Sequence, residues 1–262
     1  MEIINGNIDG GRPFDWGKTS SDYAKFRDIY PPVFYGKILE RGLCIKGQNV
    51  LDIGTGTGVI PRNLYRYGAD WTAADISENQ INQAKLLSEG MDIHYLTASA
   101  EELKFDDDSF DVVTACQCFF YFNHEKVMPK LYRMLKPGGS ILILYMAWLP
   151  FEDKIAAESE KTVLKYNPKW SGAGETMHAI YIPDLYNEKF KLIYREEYRI
   201  KVPFTRESWS GRIKSCRGIG ASLGEKEIEM WEKEHKKMLD EVAPPEFEVV
   251  HYGAVAELKK KL

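Results

Sequence analysis

The densest chemistry in this 262-residue sequence lies in one turn. Asp52-Ile53-Gly54-Thr55-Gly56-Thr57-Gly58 continues an apolar run that begins at Asn49. Glycines turn tightly there and let the backbone approach a ligand without a Cβ in the way. The order, an acidic residue and then Gly-x-Gly-x-Gly, differs from the Gly-x-Gly-x-x-Gly that presents a helix N-terminus to a pyrophosphate. About twenty residues on, Asp75 ends a second apolar run, Trp71 to Asp75, where a carboxylate can accept both hydroxyls of a ribose. The pair describes a site for a ribose-bearing ligand at a strand-to-helix junction. Capping of the next helix is the plainer role for Asp75.

The elements that must position these residues follow from periodicity and punctuation. Ser20 or Ser21 caps a helix to Tyr30, and Pro31-Pro32 starts another through Arg41. Strands are expected at 49–53, 71–75, 93–97, 110–115 and 140–145. The intervening helices are Val59 to Tyr67, a helix opened by a capping box at Ser77 to Gln80 and running to Glu89, and His124 to Lys136. This alternation implies parallel βαβ units with right-handed crossovers. After Trp148 it lapses into an aromatic-rich stretch to Glu188. A strand over Phe190 to Val202, a helical stretch from Thr205 to Val242 and a last strand, Phe247 to Leu258, complete the chain. With no linker or repeat, one domain is expected: helices over 1–46, a core over 47–146, and insertions at 147–189 and 205–246.

Composition removes several classes. Thirty-nine acidic against 35 basic residues leave a formal charge of −4, the wrong sign for a nucleic-acid surface. The N-terminus lacks a basic stretch followed by an apolar run, and the apolar stretch Ile141 to Pro150 is too short to span a bilayer, so a cytoplasmic location is expected. Cys44, Cys116, Cys118 and Cys216 show neither zinc nor disulfide spacing, and the five histidines are scattered. No metal is expected. Cys116 and Cys118, two apart, read as sharing one face of a strand.

The run Val50 to Gly58 resembles motif I of the class I S-adenosylmethionine-dependent methyltransferases. Ala74-Asp75-Ile76-Ser77 resembles their ribose-binding strand end, Ser109 to Val113 their fourth strand, and Leu135-Lys136-Pro137-Gly138-Gly139 the turn before their fifth. Four ordered motifs between Val50 and Tyr145 are specific in combination. The resemblance implies a Rossmann-like, doubly wound α/β fold with a mostly parallel seven-stranded sheet, an antiparallel last strand, and N-terminal helices and insertions forming a lid. It also implies cofactor roles. Gly54, Thr55 and Gly56 line the methionine part, with Asp52 beneath its ammonium, and Gly58 is a further cofactor-binding residue of the turn. Asp75 holds the ribose and Ile76 packs on the adenine. Ser99-Ala100-Glu101 falls where the family has Asp-Ala-Glu, so the adenine contact is carried by Ser99 or by the Ala100 backbone.

The acceptor is less legible, because a sulfonium-bound methyl group needs mainly a positioned nucleophile. The run Cys116 to Asn123 lacks the Asn/Asp-Pro-Pro-Tyr/Phe of enzymes that methylate a flipped base. With Gln117, it is similar to the small-molecule enzymes of the trans-aconitate methyltransferase type. Tyr23-Ala24-Lys25-Phe26-Arg27-Asp28-Ile29-Tyr30-Pro31 is similar to their N-terminal segment, which implies that Tyr23 and Arg27 meet the cofactor. Core packing and a surface charge are their plainer roles. A small-molecule acceptor is therefore expected, with Tyr121, Trp148, Trp170 and Arg212 as substrate-binding candidates and Arg217 as a second choice for a carboxylate. If a base is needed, Tyr121, His124 or His178 are candidates. Met230, Trp231, Met238 and Leu239 read as a buried helix stripe. A nicotinamide oxidoreductase, a protein or RNA methyltransferase and a non-catalytic cofactor-binding protein are the alternatives.

Overall fold

A computed structural model describes residues 2–4, 6 and 8–261. Seven strands form one sheet: β1 (Asn49–Ile53), β2 (Asp70–Asp75), β3 (Ile93–Thr97), β4 (Phe110–Cys116), β5 (Leu135–Trp148), β6 (Phe190–Thr205) and β7 (Glu246–Lys260). Their order is β3-β2-β1-β4-β5-β7-β6. β1 to β5 pair in parallel, and the last strands are antiparallel. This is a Rossmann-like, doubly wound α/β fold. Val50, Leu51 and Ile53 of β1 are all buried, as expected of a central parallel strand covered on both faces. Register shifts between Phe110 and Val112, where Lys136 to Gly139 carry β5 past an unpaired stretch.

The chain falls into two compact units. One comprises Tyr30–Met146, His178–Tyr198 and Gly253–Leu262, and holds β1 to β4 whole. Its helices are α2 (Pro32–Leu39), α3 (Val59–Leu64), α4 (Glu78–Leu87) and α5 (His124–Met134). Ser77 caps α4, its hydroxyl accepting from the Gln80 N–H, and Ile81 and Ala84 then pack with Ala73 and Tyr95.

The other unit comprises Met1–Ile29, Ala147–Met177 and Arg199–Tyr252. In it α1 (Ser20–Phe26) packs on α7 (Arg206–Lys214), and α8 (Glu225–Val242) packs on both α7 and α6 (Lys154–Tyr166). Helix α6 arises inside the stretch whose aromatics masked its period. The first helix ends at Phe26, short of the expected Tyr30. The buried stripe of α8 is Trp231, His235 and Leu239, at i, i+4 and i+8, whereas Met230 is 62% exposed. A buried histidine, not a methionine, completes that face.

The Ser159 hydroxyl donates to the Ile155 carbonyl, so its oxygen accepts from Trp209 Nε1–H at 2.9 Å and from His235 Nε2–H at 3.1 Å. Ser210 meets His235 Nδ1 at 3.0 Å. His235 and His251 are both buried, and burial pushes each imidazole down to about 3. Both must charge when the chain unfolds in acid. Stability is therefore present above the unfolded value near 6.5 and lost as pH falls toward 3, about 2 kcal/mol per histidine between pH 7 and 5. The buried Asp52 carboxyl, raised to about 6, works the other way and returns about 1 kcal/mol over the same interval. Net acid destabilisation is expected in urea titrations at pH 7 and 5. His235→Asn should flatten it, and an unchanged slope would refute the assignment.

Candidate cofactor and active site

The glycine turn leaves the end of β1 in a conformation that L side chains resist. Gly54, Gly56 and Gly58 all have positive φ, at 66°, 57° and 75°. Two of them are also crowded. A Cβ on Gly54 would lie 2.7 Å from both Cβ and Sγ of Cys118, and one on Gly58 would collide with the Tyr95 hydroxyl. The turn is fastened to β2 by hydrogen bonds. Thr55 N–H donates to the Ala74 carbonyl at 3.0 Å. Gly56 N–H donates to Asp75 Oδ2 at 2.8 Å, and Ser77 N–H to Asp75 Oδ1 at 2.9 Å.

Asp75 thus ties the turn to its own strand end, while the side-chain cap of α4 is Ser77. Each Asp75 oxygen accepts one of these N–H groups and has a second lone-pair direction. Burial pushes its carboxyl above the usual carboxylate range, opposed by the two backbone N–H groups of Ser77 and Gly56. Asp52, beneath, accepts from Thr114 Oγ1–H at 2.5 Å. Burial pushes it up to about 6 against the pull of the Thr114 and Thr55 hydroxyls, and the charge on Asp75 adds to the rise. Two neighbouring carboxylates make this end of the sheet electronegative, an environment that favours a cation. Ile76, beside Asp75, is 36% exposed, an apolar surface at the strand end.

The remaining candidates of this unit divide by partner. Glu101 accepts from Asn123 N–H at 2.8 Å, and the Ser99 hydroxyl donates to Glu102. Ala100 is buried. Gln117 has φ 65°. Its N–H donates to the Leu144 carbonyl at 2.9 Å and its side-chain amide to that of Met146 at 2.5 Å. This left-handed residue ends β4 and breaks the two-residue period, so Cys118 lies beyond the strand, with its thiol on the Ile53 carbonyl at 3.0 Å. Cys116 and Cys118 do not share a strand face. Cys118 and Tyr95, which confine the glycines, carry no local signal and are found only through the packing.

Tyr121 closes a short 3₁₀ turn, Phe119–Tyr121, and stands at one end of a string of rings. Centroid distances are 4.4 Å to Phe120, 5.9 Å from Phe120 to Tyr145 and 6.3 Å from Tyr145 to His178. His178 is exposed, and its Nδ1 lies 2.9 Å from the Ala179 carbonyl. A carbonyl only accepts, so in the neutral ring Nδ1 carries the proton and the lone pair sits on Nε2. His124 instead meets the buried Tyr186 hydroxyl at 3.1 Å, and burial lowers its basicity.

Tyr23, Arg27, Trp148, Trp170, Arg212 and Arg217 belong to the other unit. Trp148 and Trp170 are buried, 6.4 Å apart, and Trp148 Nε1–H donates to Glu160 at 2.6 Å. Arg217 forks onto Asp9, Nε to Oδ2 at 2.7 Å and Nη2 to Oδ1 at 3.1 Å. It ties the N-terminal segment to α7's C-terminal side.

Residues 51–143 match the family model described as a methyltransferase domain. The chain carries a class I S-adenosylmethionine-dependent methyltransferase domain. S-adenosylmethionine is the cofactor of this domain, and the residues present suit it: paired carboxylates for a cationic ligand, acceptor oxygens at the end of β2, and an exposed Ile76. A ubiquinone/menaquinone biosynthesis C-methyltransferase of Vibrio campbellii is 40% identical over 106 residues, 37% of this chain and 41% of the relative. The match thus spans about two fifths of that relative's length. A ubiquinone biosynthesis O-methyltransferase of Pseudomonas entomophila is 28% identical over 158 residues, 59% of this chain and 67% of the relative. The phosphoethanolamine N-methyltransferase 2 of Haemonchus contortus, solved with phosphomonomethylethanolamine and S-adenosylhomocysteine, shares the fold. Its TM-score is 0.54 at 20% identity, over 93% of this chain and 58% of that one. Among the described residues no helix is long and apolar enough to cross a membrane, and no cluster of His, Cys, Asp and Glu could hold a metal ion.

Proposed function

We propose that the chain, acting as one methyltransferase domain, transfers a methyl group to a small molecule. The observation that carries this reading is the Asp75 carboxylate, fastened to Gly56 and Ser77 with an acceptor direction left on each oxygen. Asp75 holds the two ribose hydroxyls, Ile76 packs on the adenine, and the Ser99–Glu101 turn borders the ring. Gly54, Thr55, Gly56 and Gly58 line the methionine moiety above Asp52, whose charge faces the ammonium. Gln117 holds the ends of β4 and β5 in register, so its role is to position the acceptor loop.

Bound S-adenosylmethionine supplies a methyl group on a positively charged sulfur. The part of the chain's own residues would be to hold the acceptor atom in line with that methyl group and to exclude water. Tyr121, Phe120 and Tyr145 offer ring faces that suit a compact, partly apolar acceptor. A carboxylate acceptor is already ionised at neutral pH and needs no base. A hydroxyl or amine acceptor gives up a proton, and Nε2 of His178 is the best-prepared base. The relatives named for ubiquinone and menaquinone biosynthesis support a small-molecule acceptor, as does the net negative charge.

The test is a methyl-transfer screen of small acids, phenols and amines beside protein and tRNA pools, each with and without His178→Asn. Transfer to small molecules is expected. For phenols and amines the variant should lower kcat at pH 7 by about 10²- to 10⁴-fold, and for acids it should not. Transfer only to the macromolecular pools would refute the reading.

A further inference from the structure

The glycine turn is held from both ends of α4. At the first end of the helix, Ser77 and Gly56 share the Asp75 carboxylate. At its other end stands Ser88, the C-cap. The Ser88 hydroxyl donates to the Ala84 carbonyl at 2.6 Å, which uses its one proton. The Tyr95 hydroxyl lies 2.7 Å from the Ser88 oxygen and is therefore the donor of that pair. Tyr95 is buried with Ala73, Ile81 and Ala84, so its ring has no room to swing aside.

With its proton directed to Ser88, the phenol oxygen abuts Gly58. A Cβ placed there would meet the hydroxyl first, then Cζ at 3.2 Å and Cε1 at 3.3 Å. Gly58 is where the turn passes into α3. Its N–H donates to the Thr55 carbonyl, and its own carbonyl accepts from Arg62 N–H, each at 3.0 Å. Whatever displaces Gly58 therefore moves Thr55, at the centre of the turn. A phenylalanine would fill the same core space, but it is the bonded hydroxyl that reaches Gly58.

We propose that Tyr95 is a positioning residue for the cofactor. Its hydroxyl, held by Ser88, sets the place of Gly58 and so the shape of the turn that the methionine part meets. Tyr95 touches no ligand in this role and acts through the backbone of the turn. The role rests on the proposed function, in which that turn holds the cofactor.

The experiment is calorimetric titration of the full chain with S-adenosylhomocysteine, with thermal unfolding followed in parallel. Tyr95→Phe should weaken binding about three- to tenfold at a temperature where the variant is fully folded. A residue that only packs the core would lower Tm and leave the affinity unchanged. The sharper readout is a double-mutant cycle. Gly58→Ala should bind poorly, and Gly58→Ala/Tyr95→Phe should bind at least about tenfold more tightly than Gly58→Ala, because the first atom in the way is gone. Tyr67→Phe, at a hydroxyl bonded to Arg66 on the surface, should change nothing. Should Tyr95→Phe fail to fold, Ser88→Ala, which releases the phenol, decides in its place. Wild-type affinity in the folded variant, or a double variant no better than Gly58→Ala, would overturn the role of Tyr95. Gly54→Val keeps the two readings apart. If it binds normally the turn itself is misassigned, whereas a defective Gly54→Val beside a normal Tyr95→Phe sinks the role of Tyr95 alone.

Discussion

Gly54→Val is expected to abolish cofactor binding, with at least about a hundredfold loss of affinity for S-adenosylhomocysteine. Two costs add at this position. The φ of 66° is one that a β-branched residue strongly resists, and the left-handed region costs about 1–2 kcal/mol even for an ordinary side chain. The new Cβ would also lie 2.7 Å from Cys118 Cβ and Sγ, and Cys118 has little room to retreat because its thiol is held on the Ile53 carbonyl. The turn must shift, and the backbone that the cofactor meets shifts with it. The double variant Gly54→Ala/Cys118→Gly separates the two costs. It removes the collision, keeps the strain, and should recover part of the affinity. Wild-type affinity in Gly54→Val would refute the assignment of this turn to the cofactor.

Asp75→Ala should weaken cofactor binding by about 1–3 kcal/mol, the loss of charge-assisted hydrogen bonds to a ribose. Some of that loss comes from the loop, because Gly56 and Ser77 N–H groups lose their acceptor. A 2′-deoxy analogue of S-adenosylhomocysteine isolates the ribose contribution. Wild-type protein should bind it more weakly than the parent compound, and Asp75→Ala should bind both alike. Equal binding of the two by the wild-type protein would show that Asp75 only organises the turn.

The cofactor half of this chain is legible because its signals are local. Strand β1 spans Asn49–Ile53 in the structure, as the apolar run predicts, since a parallel strand covered on both faces is apolar along most of its length. The glycines announce themselves because positive φ and close packing exclude other residues, whatever surrounds them. The later strands fare worse. Strands β5, β6 and β7 run for 14, 16 and 15 residues, beyond the few residues over which alternation marks a strand. Helix α6 is hidden by aromatics whose burial depends on partners far along the chain.

The sequence by itself determined the order of the βαβ units, the place of the ligand turn and the two acidic residues beside it. Each depends on backbone conformation or on a period of a few residues, which composition encodes directly. Tertiary structure alone decided how the polar side chains are used. Arg217 is joined to Asp9 across 208 positions, Glu101 to the backbone of Asn123, and Arg27 and Arg212 are brought to one sulfur. A buried charge or donor is compelled to find a partner. Which partner it finds is fixed by how distant segments pack, and no local spacing carries that information.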